Sequence, residues 1–147
     1  MRMMNYGFLL LLLVPMYAAA DNAYDFGDYT VYYNAFTADS LPPEMASAYG
    51  IERSKYKGVL NISVQQKGQA GVFLPKAVDA AVSVDAVNLV GQLKKLKMRR
   101  ISEGESIYYI SEFRISNEEL LEFNVVISPV TSSKPLTFEF KQKFYVD

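Results

Sequence analysis

From residue 28 onward, apolar and polar residues alternate almost one for one, the period of a β-strand with one buried face. Tyr29, Val31, Tyr33 and Ala35 fall on one side of the first such stretch, and Thr30, Tyr32, Asn34 and Phe36 on the other. Leu60, Ile62 and Val64 alternate with Asn61, Ser63 and Gln65. Val78, Ala80, Val82 and Val84 form a third set. Val87, Leu89 and Leu93 continue it, after which the apolar parity shifts to Leu96 and Met98. A bend or bulge near Lys94-Lys95 accounts for such a one-residue slip. Ile107, Tyr109 and Phe113, then Leu121, Phe123, Val125 and Ile127, then Leu136, Phe138, Phe140, Phe144 and Val146 complete the inner sets. Turn residues fill the gaps, at 68–71, 102–106, 116–117 and 128–135. Ser116 and Glu119 have the spacing of a helix capping box, but the alternation that follows favours a turn.

One segment breaks the strand rhythm. Leu41 to Gly50 predicts a short helix with prolines 42 and 43 in its first turn and Gly50 as its stop. Ser40 is placed to cap it, and Met45 and Tyr49, four apart, to pin it down. Asp21 to Gly27 reads as a loosely ordered lead-in. The expectation is an all-β fold: an antiparallel, immunoglobulin-like β-sandwich of about seven strands with one short helix. A small closed β-barrel uses the same pattern and stays open as the alternative.

The first twenty residues differ from the rest. Arg2 precedes the unbroken apolar run Phe8 to Val14, Pro15 ends it, and Ala18-Ala19-Ala20 supplies small residues before Asp21. This is the layout of a secretory signal peptide, too short for a membrane span. It predicts a single domain over residues 21–147, exported to the periplasm, with no stable membrane insertion once the leader is removed. The chain has no cysteine, so neither disulfides nor a lipid-carrying thiol is expected. Fifteen basic residues against sixteen acidic give no cationic surplus for nucleic acid.

Histidine is absent as well. The usual general base and the commonest transition-metal ligand are therefore missing, and no catalytic residue, metal or cofactor is expected. Ser54-Lys55 is a conceivable serine–lysine pair, but neighbours on a strand point opposite ways. Glu118, Glu119 and Glu122 lack the spacing of a calcium loop. The basic run Lys94, Lys95, Lys97, Arg99 and Arg100 suits either an acidic partner or an edge strand guarded by lysines, and the alternation with Leu96 and Met98 favours the edge.

The segments Tyr33-Asn34-Ala35-Phe36, Leu41-Pro42-Pro43-Glu44, Ala48-Tyr49-Gly50-Ile51, Arg53-Ser54-Lys55 and Gly58 to Val64 resemble the bacterial domain-of-unknown-function family numbered 4426. That resemblance implies an exported protein of Gram-negative bacteria and carries no catalytic residues. Within the same stretch, Asn34, Tyr49, Arg53, Ser54, Lys55 and Asn61 are the candidate binding residues, because polar groups on a loop held by a rigid scaffold are where recognition resides. Arg53 suits a carboxylate and Tyr49 a ring. Two functions follow. One is a non-catalytic interaction or accessory module whose partner is another periplasmic or envelope protein. The other is a small-molecule or glycan-binding domain using Tyr29, Tyr32, Tyr33, Tyr49, Tyr56, Tyr108 and Tyr109, which requires a concave pocket lined by several of them.

Overall fold

The structure is a computed structural model and describes residues 22–68 and 74–147. The expected leader with its cleavage point, and most of the expected turn at 68–71, lie outside the described residues. Among the described residues ten strands form: β1 (Asn22–Asp25), β2 (Tyr29–Thr37), β3 (Lys57–Gln66), β4 (Lys76–Ala77), β5 (Ala80–Asn88), β6 (Leu93–Leu96), β7 (Arg99–Glu103), β8 (Ser106–Arg114), β9 (Glu119–Pro129) and β10 (Leu136–Phe144). A 3₁₀ turn (Ala38–Ser40) and the helix α1 (Pro43–Ala48) sit between β2 and β3. Sheet A runs β1-β2-β3-β8-β7, with β4 also paired to β3; sheet B runs β10-β9-β5-β6. All pairings are antiparallel. The two sheets make a sandwich and neither closes into a barrel, so the barrel alternative falls away.

The inner faces supply the core in the expected parity. Val31, Leu60, Ile62 and Val64 of sheet A meet Val84, Leu121, Phe123, Val125 and Ile127 of sheet B, all fully buried or nearly so. Aromatic rings close one open side of the sandwich. Tyr33 packs on Phe140 with centroids 4.4 Å apart, and Tyr24 stacks on Phe138 at 5.1 Å. The Tyr24 contact explains why the lead-in is a strand and not a loose segment. Ladder bonds to β2 and a ring on Phe138 hold β1 in place.

The parity slip near Lys94-Lys95 has a different cause from a bulge. β6 ends at Leu96 on the edge of sheet B, the chain crosses at Lys97-Met98, and β7 begins at Arg99 on the edge of sheet A. The even parity faces inward throughout: Lys94 and Leu96 oppose the inward Ala86 and Val84, and Arg100 opposes the inward Tyr109. Leu93 opposes Val87 on the outward face and is exposed, so the slip is an apolar run on the outward side of β5 and β6. Lys95 on β6, Lys97 in the crossing and Arg99 on β7 share no single strand. Leu89 lies in the β5–β6 turn and is exposed. The higher strand count follows from β1, the two-residue β4 and this division of the basic run.

One core position is polar. The Ser111 side chain is 1 % exposed, lies between Tyr109 and Phe113 on the inner parity of β8, and its Oγ has no hydrogen-bond partner among the described residues. An unpaired buried hydroxyl costs stability. Ser111→Ala is expected to raise the urea midpoint, a gain of about 1 kcal/mol. A lowered midpoint in equilibrium unfolding would show that the hydroxyl has a partner after all.

Candidate functional site

The outer face of sheet A changes character along β3. Val59 faces outward together with Phe36 and Ile110, whereas Asn61, Ser63 and Gln65 continue the same row as polar side chains. The apolar half needs a cover, and the excursion between β2 and β3 provides it. Ala38, Ala46 and Ile51 pack there on Val59 and Ile110, with Leu41, Tyr49, Ile101 and Tyr108 around them.

The helix at the centre of this cover, Pro43–Ala48, lies inside the expected stretch 41–50 and is two residues shorter at each end. Pro42 occupies the cap position without a side-chain bond, and the Ser40 hydroxyl donates to Thr37 O at 2.6 Å instead. Its stop is a Schellman motif. Gly50 adopts φ +65°, Ile51 N donates to Ala46 O at 2.8 Å, and Gly50 N to Ser47 O at 3.2 Å. The buried pair that accompanies such a motif is Ala46 with Ile51. Met45 is therefore not the pin. It points to solvent at 45 % exposure, because the sheet lies one residue further round the helix.

Four of the six candidate binding residues belong to this cover. The Tyr49 hydroxyl donates to Glu103 Oε2 at 2.8 Å, and that bond holds its ionisation above the ordinary tyrosine range. Arg53 donates to the carbonyls of Leu41 and Asp39, at 2.8 and 2.9 Å, and so ties both ends of the excursion. It pairs with neither Glu44 nor Glu52. Ser54 Oγ accepts from Tyr56 N at 3.1 Å in a local turn, and the Lys55 ammonium lies 5.2 Å from the Tyr56 ring centroid. Within the basic run, Arg99 donates to Tyr49 O at 2.7 Å, where a helix C-terminus favours a cation, and also reaches Glu112. Arg100 pairs with Asp79, and Lys94 with Glu119 and Arg114 O.

Asn34 and Asn61 lie elsewhere. They are directly opposed across β2 and β3, on the uncovered polar half of the face. There β8 separates from β3 after the Ile62–Tyr109 pair, and β4 takes its place only at Gln65–Ala77. The interval opens a concavity of about 870 Å³. Tyr32, Asn34, Asn61, Ser63 and Gln65 form its floor, Tyr108 and the Glu105-Ser106 turn one wall, and Leu74 to Ala77 the other. Tyr108 is braced from behind by Tyr49, with ring centroids 6.4 Å apart. Asn61 Oδ1 is buried and has no hydrogen-bond partner among the described residues. Of the seven tyrosines singled out, Tyr32 and Tyr108 line the concavity, Tyr33 borders it but turns its ring inward onto Phe138 and Phe140, Tyr29 and Tyr109 are buried, and Tyr56 is exposed. The sequence signal for the wider site was the row Asn61, Ser63, Gln65 itself, polar on a face whose neighbouring position, Val59, is apolar.

No protein of curated function matches the sequence. Among solved structures, a family member from Pseudomonas aeruginosa is 35 % identical and superposes with a TM-score of 0.74, covering 89 % of this chain and 99 % of its own. FetP from uropathogenic Escherichia coli, produced recombinantly in the periplasm, is 10 % identical with a TM-score of 0.59, covering 84 % of this chain and 93 % of its own. A copper-bound FetP variant has the same identity and TM-score over 85 % and 95 %. At that identity the FetP likeness concerns the fold alone. The model of the domain-of-unknown-function family DUF4426 matches residues 23–147, and the chain belongs to that family.

Proposed function

We propose that this is an exported, non-catalytic recognition domain of the Gram-negative periplasm that holds a small polar ligand in the concavity on sheet A. The observation that carries this reading is the floor of Tyr32, Asn34, Asn61 and Ser63, convergent polar groups in a recess of the size that ligand pockets have. Export is supported by the apolar run 8–14 and the alanines before Asp21. The absence of histidine supports a binding role over a catalytic one. FetP holds copper in one of its structures. The lining of the concavity here offers amides and hydroxyls, a donor set that suits an organic polar ligand.

Filling the recess tests the reading. The native protein, incubated with a low-molecular-weight extract of Gram-negative envelope, is expected to melt higher and to carry a mass adduct in native mass spectrometry. A ligand at ten times its Kd stabilises by about 1.4 kcal/mol. Ser63→Trp, on an outward-facing position, is expected to fold and to show neither effect. Equal responses from both proteins, or none, sink the proposal.

That outcome would favour the second reading, capture of another envelope protein. Its supporting observation is the β5–β6 turn, where Leu89 and Val90 are 82 % and 80 % exposed beside Leu93. A photoreactive residue at Val90 that traps no protein in cells would remove that reading too.

A further inference from the structure

We infer that the ligand of the concavity is a neutral saccharide, an inference that rests on the small-ligand reading above and adds its chemical class. The floor is a regular grid. Tyr32 is directly opposed to Ser63, and Asn34 to Asn61, in adjacent outward rows of β2 and β3. Opposed side chains start about 5 Å apart and successive outward residues about 7 Å apart, the footprint of one hexose ring.

The chemistry of the grid matches hydroxyl groups better than ions. An asparagine amide donates and accepts, as a sugar hydroxyl does, and the serine and tyrosine hydroxyls do the same. An ionised ligand would need an opposing charge once it left water. The charged side chains of the lining are Lys76 and Glu105, one of each sign, on opposite walls. They give the recess no net charge that would draw an anion or a cation onto the floor.

The floor also has an unmet need. Asn61 Oδ1 is an acceptor without a donor among the described residues, and its neighbour across the ladder is another amide. Asn61 also lines the concavity, where a turn of its amide about the last bond can offer an incoming O–H either an acceptor or a donor edge. Tyr108 stands on the wall with its ring held by Tyr49, a fixed aromatic surface for the C–H face of a pyranose.

The test uses the full mature protein, labelled with ¹⁵N, with the side-chain amide signals of Asn34 and Asn61 followed by NMR. The neutral probes are cellotetraose, maltotetraose and chitotetraose; the charged probes are glutamate, citrate and spermidine. Saturable shifts are expected with at least one saccharide, at a Kd of about 1 mM or tighter. Asn61→Ala is expected to weaken that binding about tenfold or more, the worth of one well-formed hydrogen-bond pair. Asn34→Ala serves if the first variant does not fold, and Ser111→Ala, in the core, is expected to bind as the native protein does. Saturation by a charged probe alone overturns the saccharide assignment and leaves the small-ligand site standing. No saturable shift with any of the three saccharides overturns the inference, while the envelope-extract experiment with Ser63→Trp judges the site independently.

Discussion

Phe123→Ala is expected to remove about 3–5 kcal/mol of stability, the cost of deleting a fully buried phenylalanine. Domains of this kind are stable by only about 5–15 kcal/mol in total, so the variant should stand close to its unfolding threshold at 25 °C. The position explains the size of the effect. Phe123 is wholly buried, stacks on Phe140 with centroids 4.7 Å apart and planes 12° from parallel, and receives the edge of Phe113 at 5.5 Å. It faces Phe140 on one side of the ladder and the small Ala86 on the other. Three strands and both sheets therefore lose contacts together, and the rings around the void are too large to close it. Phe123→Leu keeps most of the volume and is expected to cost about 1.5 kcal/mol or less. Urea unfolding of both variants checks this. A loss below about 1.5 kcal/mol for the alanine variant would mean that the aromatic cluster collapses into the gap.

Gly58→Ala is expected to destabilise by about 1–3 kcal/mol although it adds a single methyl group. Gly58 is directly opposed to Phe113 in the β3–β8 ladder, and the ring lies across the glycine. A Cβ built there would fall within the ring's edge, 2.6 Å from Cζ. The backbone at Gly58 is extended, so the penalty is one of space and not of conformation. Phe113 cannot retreat, because Phe123 and Phe144 each present a ring 5.5 Å away. The second-site variant Phe113→Leu should recover part of the loss in the Gly58→Ala background. Strict additivity in the double-mutant cycle would show that the two positions do not collide.

The sandwich was legible because one-residue alternation survives in nearly every strand. Tyr29, Val31 and Ala35, or Leu121, Phe123, Val125 and Ile127, face inward as their parity requires. What a local pattern cannot carry is the identity of the neighbouring sheet. The shift from Leu93 to Leu96 looked like a slip in one strand, but Leu93 is exposed on the outward parity and Leu96 packs on the core, while the passage between sheets from Leu96 to Arg99 left no mark on the alternation. A similar limit applies to the site. Asn34 and Asn61 stood out, but so did Tyr49, Arg53, Ser54 and Lys55, because all six are close in sequence. The excursion folds over the apolar half of the face and carries those four away from the polar half. The far wall, Leu74 to Ala77, left no sequence signal, since a two-residue strand is shorter than any period.

The passage from Leu96 to Arg99 also sets how the molecule can assemble. The chain lays down β1 to β4 in sheet A, β5 and β6 in sheet B, β7 and β8 back in sheet A, and β9 and β10 in sheet B. The central strands find their partners late: β3 waits for β8, and β5 for β9. Neither sheet is a contiguous stretch of chain, so neither can mature first and template the other. Loop closure over these separations must be met before the core repays it. Folding on the slow side for this size, roughly milliseconds to seconds, follows from that connectivity. Loss of structure should be equally concerted, since β9, inserted between β5 and β10, cannot leave without dissolving sheet B around it.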